Sequence, residues 1–168
     1  MKILFTAFKG KNNTSFQLVD QTAAKYILLT NSFQGLEKDI SFVSGDCSTV
    51  YMFGVDKNLV NKVRIEKCAK YNAEMVCTDF DIHYLETMLG SVDVSYTISD
   101  KPTRYLCNAA YYHMLKKNPN TVFIHIPSLK GMTIELMNKL IKVFDDVYSD
   151  EDCERSNSYA KLPKISFL

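Results

Sequence analysis

Two residues in this chain have types and settings suited to nucleophilic acyl chemistry. Cys107 closes the run Ser99-Asp100-Lys101-Pro102-Thr103-Arg104-Tyr105-Leu106-Cys107-Asn108, which reads as a loop feeding a helix. Unsatisfied N–H groups and the positive end of the helix dipole favour a thiolate there. His125 lies in Val122-Phe123-Ile124-His125-Ile126-Pro127, a buried strand that delivers an imidazole to its C-terminal tip. In open α/β sheets the C-termini of strands and the N-termini of helices share the edge where ligands bind. A thiol and an imidazole meeting at that edge are the minimum for acyl transfer. The imidazole takes the thiol proton and later returns it to the leaving amine. Taken alone, each residue also fits a plain place in a core.

The elements that must position these groups follow from the spacing of apolar residues. Lys2–Phe8, Lys25–Thr30 and Thr49–Gly54 read as strands. Lys62–Tyr71 begins with strand alternation, which Lys67 interrupts ahead of Cys68 and Ala69. Val92–Ile98 and Thr121–Ile126 complete the strands. Thr14–Gln21, capped by Asn13 or Thr14, reads as a helix. Ser32–Ser44 reads as another, with Phe33, Leu36, Ile40 and Val43 on one stripe. Further helices are predicted over Asp79–Leu89, stopping at Gly90, over Thr103–Lys117, and over Met132–Tyr148. Strands alternating with helices of this length predict an α/β fold, a three-layer α/β/α sandwich around a mixed, mostly parallel sheet. Residues 1–148 form a single domain in this reading. Residues 149–168 form a polar C-terminal tail closing on Ile165, Phe167 and Leu168, and there is no internal repeat.

Composition narrows the function. The 168 residues carry 20 Lys plus Arg against 19 Asp plus Glu, a formal net charge of +1. That balance argues against a nucleic-acid partner, which calls for a basic surplus on one face. No apolar run approaches the ~20 residues of a membrane span. The N-terminal apolar stretch is too short for a signal peptide and reads as a strand. The cysteines at 47, 68, 77, 107 and 153 are an odd count with no CxxC pair, so structural zinc and thioredoxin chemistry are not expected. A reduced, cytoplasmic protein with mostly inert thiols is the simplest reading. Cys47, Cys68 and Cys77 are then small core or loop residues, and Cys153 sits in the tail without a nameable partner. His83 and His113 read as ordinary helix residues.

Tyr105-Leu106-Cys107-Asn108 with Tyr111-Tyr112, followed by Phe123-Ile124-His125-Ile126-Pro127, resemble the cysteine and histidine motifs of the pyroglutamyl peptidase I family, the pyrrolidone carboxyl peptidases. Val63-Arg64-Ile65-Glu66-Lys67-Cys68-Ala69-Lys70-Tyr71-Asn72 is similar to the family's glutamate motif. Met1–Phe8 resembles its opening strand, and Asn13-Thr14-Ser15 its Asn-Pro-Ser helix start. The likeness runs in order from residue 1 to about 148. It implies a phosphorylase/hydrolase-like α/β/α fold and a Glu66–Cys107–His125 triad that removes an N-terminal pyroglutamyl group from peptides. Glu66 would orient the imidazole, and amides around Cys107 would form the oxyanion hole. The reaction runs through an acyl-thioester and needs no cofactor or metal. The resemblance also implies a peptide or small amide substrate and a homo-oligomer, a dimer or tetramer.

The departures concern substrate. The family carries Phe-x-Pro-Phe-Gly-Gly after its first strand, and its two phenylalanines sandwich the pyroglutamyl ring. Phe8 matches the first, and Lys9-Gly10-Lys11-Asn12 lacks the second. Pro102-Thr103 replaces an Ala-Gly pair ahead of the cysteine, and Val76 stands where the family has an arginine. Phe8 and Tyr105 are therefore the substrate-binding candidates, with Phe16 or Tyr105 as a substitute second wall. Three functions fit this pattern: a pyroglutamyl peptidase, a cysteine amidase of the same fold taking another small acyl group, and a binding protein that has lost turnover.

Overall fold

The structure, a computed structural model, describes residues 2–103 and 105–159, the last ten of these through their backbone alone. The elements in chain order are β1 (Ile3–Phe8), α1 (Thr14–Asp20), β2 (Tyr26–Leu29), α2 (Phe33–Ser41), β3 (Thr49–Asp56), β4 (Val63–Glu66) and β5 (Cys68–Tyr71). They continue with β6 (Glu74–Cys77), α3 (Ile82–Ser91), β7 (Tyr96–Ser99), α4 (Leu106–Lys117), β8 (Thr121–Pro127) and α5 (Ile134–Tyr159). The main sheet has the order β2-β1-β3-β8-β4-β7. Strands β1, β2, β3 and β8 run parallel, whereas β4 pairs antiparallel with β8 and parallel with β7. The sheet is thus mixed and mostly parallel, with helices on both faces, as the alternation predicts.

The interior strands β1 and β8 are buried along their whole length, which is why they read as continuous apolar runs. Phe5, Tyr51, Phe53, Val122 and Ile124 face one side, where they pack with Leu18, Leu85, Leu140 and Phe144 from α1, α3 and α5. Leu4, Val50, Met52 and Phe123 face the other, against Leu36 and Ile40 of α2 and Ala110, Met114 and Leu115 of α4. The period of two along each strand therefore assigns Gly54, Arg64, Glu66 and His125 to the α2/α4 side.

Local chemistry sets the helix ends. Asn13 caps α1, accepting from the Ser15 amide at 2.9 Å and the Ser15 hydroxyl at 2.7 Å. Helix α3 passes through Gly90 and stops one residue later, just ahead of Asp93 in the left-handed region (φ 56°). Helix α4 starts at Leu106 rather than Thr103, which brings Cys107 to its second position. Helix α5 runs across residue 148 to Tyr159, because the change to polar residues at Ser149 ends the apolar stripe without supplying a Gly or Pro to break the helix. The tail residues Ile165, Phe167 and Leu168 lie outside the described residues. Among the described residues no helix is long and apolar enough to cross a membrane.

The predicted strand Lys62–Tyr71 is two strands. The chain leaves the main sheet at Lys67, and β5 turns back on β6 as a two-stranded hairpin through Asn72, whose φ of 53° suits asparagine. In that hairpin Cys68 lies opposite Cys77, with Cα atoms 4.0 Å apart, and the two form a disulfide. This corrects the reading of both as inert core or loop thiols. Their spacing carried no framework signal, and the pairing is visible only once β6 is recognised as a strand.

Candidate active site

The α2/α4 face of the sheet brings a glutamate, a histidine and a cysteine together. β8 carries His125 toward its C-terminal end, with the ring packed 4.8 Å from that of Phe123 on the same face. β4 runs the opposite way beside it, pairing Arg64 with His125 and Glu66 with Phe123. That reversal lets Glu66 Oε1 reach His125 Nδ1 at 2.8 Å, although the residues are 59 positions apart. Glu66 and His125 are buried, at 3% and 5% exposure. Cys107 lines the same small cavity of about 10 Å³ with both of them, together with Cys68, Asn108 and Tyr111.

Arg64 organises the carboxylates. Its Nε donates to Glu66 Oε1 at 2.7 Å and its Nη1 to Asp56 Oδ2 at 2.7 Å. Its Nη2 lies 3.4 Å from His125 Nδ1. An arginine has only donors, so Nδ1 cannot serve Arg64 and Glu66 in the same way. The shorter contact decides: Nδ1–H donates to Glu66, and Nε2 is left as the basic nitrogen. Burial pushes the Glu66 carboxyl up, but hydrogen bonds and charge from His125 and Arg64 outweigh it and the net shift is downward. Asp56 is also held low, where burial is outweighed by the Asn58 amide and by Arg64. Glu66 remains an anion oriented toward the imidazole. The second oxygen, Oε2, is buried without a hydrogen-bond partner among the described residues.

The Cys107 thiol sits at the N-terminus of α4, where the capping residue Tyr105 contributes no side-chain hydrogen bond. A lowered thiol pKa is the expectation from that position, and the structure reverses it. Burial, with the Glu66 and Asp56 carboxylates adding to it, pushes the thiol up to about 12. No hydrogen bond among the described residues joins it to His125, so the resting thiol is neutral. Space for it comes from Gly54, the β3 partner of His125. A Cβ at that position would fall 2.9 Å from Cys107 Sγ and 2.6 Å from the Phe123 ring.

Helix α4 is fixed by its own side chains. Asn108 accepts from the Lys70 amide at 2.9 Å and donates to the Lys70 carbonyl at 2.6 Å, clamping the residue next to Cys107 to β5. The buried Tyr111 hydroxyl donates to the Glu66 carbonyl at 3.0 Å. Two larger cavities flank the site. One of about 470 Å³ is lined by Val55, Asp56, Lys57, Asn58, Arg64 and Thr103 with Tyr105, Cys107 and His125. The other, of about 570 Å³, is bordered by Phe33, Tyr71 and Asn72 and shares Thr103 and Tyr105.

Tyr105 therefore stands on the ridge between the cavities, 77% exposed. Phe8 is not found there. It is 4% exposed among Leu4, Leu29 and Leu36 and lines none of these cavities, because its position at the end of the all-buried β1 turns its ring into the core. Arg64, Asp56 and Gly54 escape sequence reasoning. The alternation Val63-Arg64-Ile65-Glu66 does put Arg64 and Glu66 on one face. His113 packs near Tyr71 and Glu37, and His83 is exposed beside Glu86, away from this site. Cys47 is half-buried, and the Cys153 side chain lies outside the described residues.

The mixed α/β/α sandwich thus gathers Glu66 of β4, His125 of β8 and Cys107 of α4 around one small cavity on its α2/α4 face. No family model and no curated protein matches the sequence. Solved structures do. Pyrrolidone carboxyl peptidase from Thermus thermophilus is 16% identical, with 84% of this chain and 96% of that one covered at a TM-score of 0.70. The enzyme from Fervidobacterium islandicum is 16% identical over 89% and 99%, at 0.70. A mutant of the Pyrococcus furiosus enzyme is 19% identical over 90% and 99%, at 0.67. The chain shares the pyrrolidone carboxyl peptidase fold.

Proposed function

We propose that this protein is a cysteine-type hydrolase resembling pyroglutamyl peptidase I, which removes a small N-terminal acyl group from a peptide or amide. The observation that carries the reading is the 2.8 Å contact between Glu66 and His125 beside the cavity that Cys107 also lines. His125 Nε2 takes the proton from Cys107 Sγ as the sulfur attacks the acyl carbonyl. First-turn amides of α4 receive the developing oxyanion. The C–N bond breaks, His125 protonates the departing amine, and an acyl-thioester remains on Cys107. A water molecule, deprotonated by His125, attacks the thioester carbonyl, and the sulfur leaves to recover its proton. The Asp56–Arg64–Glu66 cluster carries a formal −1 that balances the imidazolium formed in both half-reactions. Pyroglutamyl peptides are the substrates suggested by the resemblance. The buried Phe8 and the Asp56 and Arg64 side chains that line the 470 Å³ cavity favour the second reading, an amidase taking another small acyl group.

The test is hydrolysis of pyroglutamyl, prolyl, glutaminyl and alanyl fluorogenic amides by wild type and Cys107→Ser. At least one amide is turned over by wild type, with a loss of about three orders of magnitude or more in the variant. Pyroglutamyl turnover is weak, because Phe8 is buried in the core and the second phenylalanine is absent, so neither stacking wall is in place. No Cys107-dependent turnover of any amide contradicts the proposal.

A further inference from the structure

The geometry points to Arg64 as the specificity-determining donor of the acyl pocket, selecting a neutral acyl side chain that carries a carbonyl oxygen. This rests on the cysteine-hydrolase reading and names its substrate class. Of the Arg64 donors, Nε is used by Glu66 and Nη1 by Asp56, both at 2.7 Å. Nη2 approaches His125 Nδ1 at 3.4 Å, but that nitrogen has its own proton directed to Glu66 and cannot accept. Nη2 therefore holds unsatisfied N–H groups on a side chain that is 23% exposed and lines the cavity containing Cys107 and His125. An acyl group whose reactive carbonyl is at Cys107 extends into that cavity, and an oxygen acceptor on its side chain satisfies Nη2.

Charge decides which acceptor. Asp56 and Glu66 contribute two negative charges against one from Arg64, a balance of −1 in a part-buried cluster. Lys57 is an exposed rim cation screened by solvent. A carboxylate entering here meets two like charges at short range, whereas a carboxamide or lactam carbonyl meets only the donor. The class is thus glutaminyl-like or pyroglutamyl-like, one being an open carboxamide and the other a ring. An acidic glutamyl group and an alanyl group are both disfavoured.

The experiment compares kcat/KM for glutaminyl, pyroglutamyl, glutamyl and alanyl amides with wild type, Arg64→Lys and Arg64→Met. Wild type prefers a carbonyl-bearing neutral group over glutamyl and alanyl by about tenfold or more, as for a hydrogen bond to a charged donor. Both variants lower kcat on every amide, because Arg64 also holds Glu66 and Asp56, and beyond that common loss they collapse the ratio toward one, so alanyl turnover falls less. A glutaminyl result above pyroglutamyl assigns the open carboxamide, and the reverse assigns the ring. Equal loss on all amides, or a wild-type preference for glutamyl, overturns the proposal. Calorimetric titration of wild type with L-glutamine, L-pyroglutamate and L-norleucine reads the pocket without turnover. Selective binding of glutamine or pyroglutamate that Arg64→Lys abolishes supports the pocket even if every amide is inert, in which case only the hydrolase reading fails. Binding no tighter than norleucine overturns the pocket even if alanyl amide is hydrolysed.

Discussion

The Cys107 thiol is subject to opposing forces, and their balance sets how the site works. The N-terminus of α4 favours a thiolate, by an amount typical of a helix end, up to ~2 kcal/mol in partly buried settings. Burial and the two carboxylates act against it and win, so the thiol is raised to about 12 from 9.0. A group raised this far stays protonated through neutral pH and ionises only when a base accepts its proton. Alkylation of Cys107 by iodoacetamide, followed by peptide mass mapping, is therefore slow at pH 7 and climbs roughly tenfold per pH unit up to pH 10. Asp56→Asn removes one of the opposing charges and moves the profile to lower pH. A rate that is already high and flat between pH 6 and 8 denotes a resting thiolate–imidazolium pair and contradicts this balance. Cys107 and His125 were legible as chemistry because a thiol at a helix start and an imidazole at a strand tip are both recognisable from local pattern. The raised thiol was not legible, since it depends first on burial and then on Glu66 and Asp56, and only the tertiary fold supplies these.

At the scale of elements, the reversal of β4 and the docking of the β5–β6 hairpin turn scattered residues into a site. β4 lays Glu66 against β8 from the antiparallel direction, and the hairpin then grips α4 through the paired Asn108–Lys70 hydrogen bonds. Tyr112 and Lys116 add contacts to Glu74 further along the helix, on its exposed side. Asn108→Ala frees the first turn of α4, so kcat falls about ten- to a hundredfold with a smaller change in KM, since misplacement of a reacting group by an ångström costs about that much. Lys116→Ala breaks only an exposed ion pair, worth ~1 kcal/mol or less, and leaves kcat near wild type. Equal effects from the two variants rule out the Asn108 clamp as what places Cys107. The run Val63–Glu66 is readable as a strand, and Lys67 marks its end. Strand β6 is not readable, because Glu74-Met75-Val76-Cys77 is short and mostly exposed and lacks a buried alternating face. With it went the Cys68–Cys77 disulfide.

Across the whole molecule, one face of the sheet is given to packing and the other holds both packing and chemistry. The α1/α3/α5 face is an apolar layer of aromatic and aliphatic side chains around Phe5, Phe53 and Phe144. The α2/α4 face is apolar toward β1 and gives way to Arg64, Glu66 and His125 toward β4. The alternation of strands and helices carries the three-layer architecture, since each strand buried on both sides calls for helices above and below. Strand order and the direction of β4 depend on nonlocal pairing, which no window of sequence contains. The burial of Phe8 is a fact of the same kind: its apolar character fits a substrate wall or a core equally well, and the packing of β1 between β2 and β3 under α2 decides for the core.

The claim that these layers assemble a thioester-forming hydrolase is tested most directly by trapping the acyl-enzyme. Wild-type protein mixed with glutaminyl or pyroglutamyl amide and quenched in acid within the first turnovers is digested and mapped by mass spectrometry. The account predicts an added acyl mass on the peptide containing Cys107, absent from Cys107→Ser and from protein alkylated beforehand at that residue. Release of the amine with no adduct on Cys107, or with full turnover retained in Cys107→Ser, contradicts it.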